Sequence, residues 1–87
     1  MQRHPSFAVA FEWNRYNEDE LDGHDVLPYE VEQVFRNGPT FSRNKKKAAA
    51  RWRMVGRTDG GRKLQVFIVW ADEQDGILRA VTGWEIR

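Results

Sequence analysis

The sequence predicts one α+β domain spanning residues 1–87, with two helices packed on a small antiparallel β-sheet. Three observations carry this expectation. The front half holds two short segments with helix caps and helical spacing of apolar residues. The back half changes to a period of two, the alternation of strands. Within it, Thr58-Asp59-Gly60-Gly61 is a hairpin turn signal.

The elements follow in order. Phe7 to Trp13 is rich in Phe, Val and Trp and reads as a short first strand. Asn14 is a helix N-cap, with Asn17 and Glu18 in the first turn of a helix that runs to about Asp22 and stops at Gly23. Leu27-Pro28 starts a second helix, with proline in its first turn. Val31, Val34 and Phe35 form its apolar face, and Asn37-Gly38-Pro39 ends it. Phe41 opens a second strand. Residues 42–50 are basic and then alanine-rich, and fit a loop or a short helical turn equally well.

Arg51 to Arg57 and Lys63 to Trp70 read as strands, followed by a turn at Asp72 to Gly76 and a last strand from Ile77 to about Gly83. Loop length sets the register of the first pair. A two-residue turn would place Arg51, Arg53 and Arg57 beside Leu64, Val66 and Ile68. A three-residue loop, Asp59 to Gly61, puts Trp52 and Met54 with that apolar set and the arginines with Lys63 and Gln65. Because a one-residue slip moves a whole apolar face, the three-residue loop is expected. Both faces of the last strand are mixed, so the side shown by Arg79 is left open.

Composition narrows the function classes. The chain has no cysteine, so disulfides and thiolate metal sites are excluded, and nothing marks it for an oxidising compartment. Its first ten residues lack the apolar run of roughly 7–15 residues found in signal peptides. No segment approaches the roughly 20 apolar residues of a membrane helix. A cytoplasmic protein without membrane contact is expected. Net charge is only +1, but the charge is unevenly spread. Acids outnumber bases up to Arg36, whereas Arg43 to Lys63 holds nine Lys or Arg and the single acid Asp59. That density suggests an anionic partner.

His4 and His24 are the only histidines and are not spaced as a metal pair. No metal or cofactor motif occurs. His24 follows a helix-stopping glycine between Asp22 and Asp25, and histidine is the side chain suited to proton transfer near neutrality. Arg51, Arg53, Arg57 and Arg79 lie on adjacent strands, and a guanidinium fork grips phosphate oxygens in two places. The competing reading is an intramolecular charge match with the acidic first helix. Trp13, Trp52 and Trp70 fall in apolar patterns and belong to the core. Trp84 is free to stack a base or to pack on a partner.

The order of these residues resembles BrnT-type toxins. The carriers are Phe11-Glu12-Trp13-Asn14, Tyr16-Asn17-Glu18, His24-Asp25-Val26, and the helix Pro28-Tyr29-Glu30-Val31-Glu32-Gln33-Val34-Phe35. Val55-Gly56-Arg57-Thr58 resembles the family's G-R-T strand end, and Arg79-Ala80-Val81-Thr82 its R-x-I-S/T strand. The resemblance covers about Phe11 to Gly83. It implies a RelE/ParE-like fold and the toxin half of a type II toxin–antitoxin pair. It further implies a metal-independent ribonuclease without cofactor, silenced by a BrnA-type antitoxin and touching DNA only through it. The positions it implies for catalysis are His24 for proton transfer, with Arg57 and Arg79 for phosphate stabilisation. Arg51, Arg53, Lys45, Lys46 and Trp84 are expected to hold RNA. Gly23 and Trp84 stand where the family commonly has basic residues, which keeps a second reading open: a catalytically inactive protein-interaction module.

Overall fold

The computed structural model describes residues 3–44 and 50–87. Its elements are a short 3-10 turn at Pro5–Phe7, β1 (Ala10–Glu12), α1 (Arg15–Asp22), α2 (Pro28–Arg36), β2 (Thr40–Arg43), β3 (Trp52–Arg57), β4 (Lys63–Asp72) and β5 (Ile77–Glu85). The strands form one five-stranded sheet in the order β1-β5-β4-β3-β2. Lys45 and Lys46 lie outside the described residues, as does most of the basic connection between β2 and β3.

The α+β class and the two helices are as expected, but the sheet is larger than expected and mixed. β1 runs parallel to β5, with Phe11 opposite Leu78, while the other three pairings are antiparallel. A parallel pair needs a long crossover, and here most of the chain lies between the two strands. No local turn signal announces such a pairing. The expected strand over Phe7 to Trp13 shrinks to three residues because Pro5 opens a separate turn before it.

Both helices start as their sequences dictate. The Asn14 side chain accepts from the backbone of Tyr16 at 2.9 Å and Asn17 at 3.1 Å. Asn17 answers by accepting from Asn14 N at 2.9 Å, a reciprocal cap that satisfies helix donors left without partners. Buried Asn17 also donates to the Glu12 carbonyl at 3.0 Å, tying α1 to the end of β1. In α2, Glu30 reaches back to Leu27 N at 3.1 Å.

The core lies between the helices and one face of the sheet. Leu21, Val31 and Val34 pack there with Trp52, Met54, Leu64, Val66, Ile68, Leu78 and Ala80. Met54 faces Val66 and Trp52 faces Ile68, the register of a three-residue hairpin loop. Thr58 and Arg62 close that loop at 2.9 Å, and Gly61 takes φ +91°, a conformation that favours glycine. The end of α2 clamps the loop. Asn37 donates to Arg57 O at 3.0 Å and to Asp59 at 2.9 Å, and Gln33 accepts from Asp59 N at 3.0 Å.

Arg62 joins three elements. Its guanidinium donates to both Glu30 oxygens at 2.8 and 2.7 Å and to Glu85 at 3.0 Å. The Glu30 hydrogen bond is the main cause that raises its pKa above the ordinary arginine value, against the opposing cost of desolvation. Among the described residues, no helix is long and apolar enough to cross a membrane.

Candidate functional site

The sheet face turned away from the helices carries the chemistry. On β3 it presents Arg53, Val55 and Arg57, and on β4 Lys63, Gln65, Phe67 and Val69, alternating with buried core residues. β5 would by strict alternation show Arg79 on this face and turn Thr82 and Trp84 toward the core. It does not, because the ladder slips by one residue. Phe67 pairs with Thr82 while Ile68 pairs with Ala80, so Val81 is the extra residue of a bulge. Bulges re-aim side chains in this way. Arg79, Thr82 and Trp84 therefore share the open face.

That bulge assembles a connected group. The Trp84 ring lies 5.5 Å from Phe67 and 5.6 Å from His24. His24 Nε2 stands 3.3 Å from Glu20 Oε2, which also accepts from the Thr82 hydroxyl at 2.8 Å. On the other side of Phe67, its register partner Arg53 donates to Gln65, which in turn pairs with Trp84. His24 reaches this row from the turn that ends α1. There Val26 N bonds Leu21 O at 3.0 Å and Asp25 sits at φ +61°.

The expected site residues are thus only partly brought together. His24, Trp84 and Arg53 belong to one row. Arg57 and Arg79 face the same side but not the same point. Arg57 pairs with Lys63 and Arg79 with Val69, six residues apart along β4, or on the order of 20 Å. Arg57 donates to Gly61 O at 2.9 Å, and Arg79 stands 3.6 Å from Glu12 Oε1. Arg51 is exposed just ahead of β3, where its backbone N bonds Ile68 O at 3.2 Å. The competing reading, a charge match between these arginines and the acidic first helix, has no ion pair among the described residues: the acid at Arg79 belongs to β1, and Glu20 of α1 faces His24 and Thr82.

Sequence reasoning missed Glu20, Gln65, Phe67 and Thr82. Two of them left a signal. Glu20 stands four residues before His24, the spacing of neighbours on a helix face. Phe67 is an aromatic residue among Lys63 and Gln65 on the polar side of β4. Thr82 left none, because its position depends on the bulge. Compared with known protein families, curated proteins and solved structures, the chain gives no significant match.

Proposed function

We propose that this protein is a BrnT-type ribonuclease toxin with a RelE/ParE-like fold, neutralised by a cognate antitoxin, and that RNA lies across the open sheet face. The supporting observation is the contact of His24 with both Glu20 and Trp84 at the edge of an arginine-bearing sheet. In the proposed arrangement Nε2 carries its hydrogen on the side of Glu20, 3.3 Å away, and Nδ1 is the nitrogen that takes the proton. A carboxylate that orients an imidazole in this way is a recurring device of acid–base catalysis.

In the proposed reaction, Nδ1 removes the proton of a ribose 2′-hydroxyl. The 2′-oxygen then bonds to the adjacent phosphorus as the bond to the 5′-oxygen breaks, leaving a 2′,3′-cyclic phosphate and a 5′-hydroxyl. The leaving oxygen takes its proton from solvent. Arg53, on the far side of Phe67 from His24, favours the added charge on the phosphate as a neighbouring cation rather than by direct contact. Arg57 and Arg79 are too far apart to share one phosphate, and hold others along the same strand. Arg51, exposed just ahead of β3, extends the cationic track.

A second reading is the inactive interaction module. It draws on a groove of about 260 Å³ between β1 and α2, lined by Val9, Phe11, Glu32, Phe35 and Arg36, beside strongly exposed Val9. Co-expression with a small neighbouring antitoxin-type protein separates the two. The toxin reading expects growth arrest on induction that the partner relieves. The module reading expects binding with no arrest and no RNA cleavage in EDTA.

A further inference from the structure

We infer that the open face selects single-stranded RNA and reads it by stacking, with Phe67 and Trp84 as adjoining base platforms. The inference rests on the RNA reading above and names its substrate class. Phe67 and Trp84 are both half-buried, on neighbouring strands, with ring centroids 5.5 Å apart and planes tilted by 43°. A buried pair of this kind would be core. Here it lies on the face opposite the core, with Arg53 and Lys63 on the side of β3 and the hairpin, Arg79 toward β1, and His24 and the Glu20 carboxylate of the α1 end beside Trp84 and Thr82. Apolar rings flanked by fixed positive charges match a polyanion whose bases have been unstacked.

The geometry also disfavours a duplex. Bases within an A-form helix are stacked on one another, and its deep major groove keeps their faces from side chains. A sheet face can touch such a helix through its phosphates and 2′-hydroxyls but not through base faces, which leaves Phe67 and Trp84 without a ligand. Gln65, two residues from Phe67 on β4, opposite Trp84 and already engaged by Arg53, is placed to meet the edge of a stacked base. The Trp84 platform also places one nucleotide beside His24.

The test uses a fluorescein-labelled 12-nucleotide RNA in which every ribose is 2′-O-methylated, so that no 2′-hydroxyl is available for cleavage. Anisotropy gives Kd at fixed salt for the single strand and for the same sequence as a duplex. The single strand should bind at least tenfold more tightly. Phe67→Ala and Trp84→Ala should each weaken single-strand binding by roughly 5-fold to 100-fold and bring it toward the duplex value. Trp84→Phe, which keeps a ring, should stay within about threefold of wild type. Phe67→Lys separates stacking from charge: stacking predicts weaker binding, simple electrostatics tighter binding. Should an alanine variant not fold, quenching of wild-type tryptophan fluorescence that is reduced in Trp84→Phe supplies the same reading. Equal affinity for duplex and single strand would overturn the inference. So would tighter binding by Phe67→Lys, or binding of an antitoxin-type protein but of no oligonucleotide. Failure to cleave unmodified RNA, with the stacking results intact, would instead count against the ribonuclease reading alone.

Discussion

Trp84 lies between His24 and Phe67, 5.6 Å from one ring and 5.5 Å from the other, and it does so because Val81 is bulged out of the β4–β5 ladder. One irregular residue thus connects the proposed proton-transfer group to the aromatic centre of the sheet.

His24→Ala should lower RNA cleavage by about 10²–10⁴-fold, the usual contribution of a positioned acid–base group. Affinity for an uncleavable RNA should change little. Single-turnover cleavage and anisotropy, run on the same preparation, check both halves.

Arg57→Ala and Arg79→Ala should act independently, since each serves its own phosphate. Each should reduce the slope of log K against log salt for single-stranded RNA by about 0.7, and the double variant by about twice that. A titration series between low and moderate salt measures this. A double variant no different from either single one would place both residues on one phosphate, contrary to the register.

Gly83, on the bulged strand, leaves no room for a side chain against its neighbour. A Cβ added there would meet Gln65 O at 2.8 Å and Val66 Cα at 3.1 Å, both backbone atoms. Gly83→Ala should therefore destabilise the fold by about 1–3 kcal/mol, the usual cost of forcing extra volume into a packed site. Because Gly83 sits between Thr82 and Trp84, cleavage should fall with it. Urea unfolding gives the first quantity and the RNA assay the second.

Arg62→Ala should cost about 2–3 kcal/mol of stability. That is less than the 3–5 kcal/mol of breaking a fully buried pair, because Arg62 and Glu85 are partly exposed. Glu30 is buried and would keep Leu27 N as a partner but lose its cation. Thermal unfolding should show a drop of roughly 10 °C or more for a domain of this size.

Much of this fold is legible in the sequence, and each legible feature has a local cause. Asn14 and Asn17 announce α1 because capping is a contact between near neighbours. Pro28 and Asn37-Gly38 bound α2 for the same reason. The β3–β4 register follows from placing Trp52 and Met54 beside Leu64, Val66 and Ile68, as the structure has them. What escapes is nonlocal. The parallel pairing of Ala10–Glu12 with β5 joins segments at opposite ends of the chain. The bulge at Val81 decides which side Thr82 and Trp84 face, and nothing in Arg79-Ala80-Val81-Thr82 marks it. For the site, His24 and the strand arginines stand out by residue type. Glu20 and Phe67 carry a local signal, the i,i+4 spacing to His24 and an aromatic on a polar strand face, but their association with Trp84 and Thr82 depends on the turn after α1 being brought against β5.

The most direct measurement is cleavage of an end-labelled single-stranded RNA by the purified protein in EDTA, with His24→Ala alongside. The account predicts cleavage by the wild-type protein, fragments ending in 2′,3′-cyclic phosphate, and loss of that activity in the variant while RNA binding persists. RNA left intact by a wild-type protein that binds it, or equal cleavage by His24→Ala, would contradict the account.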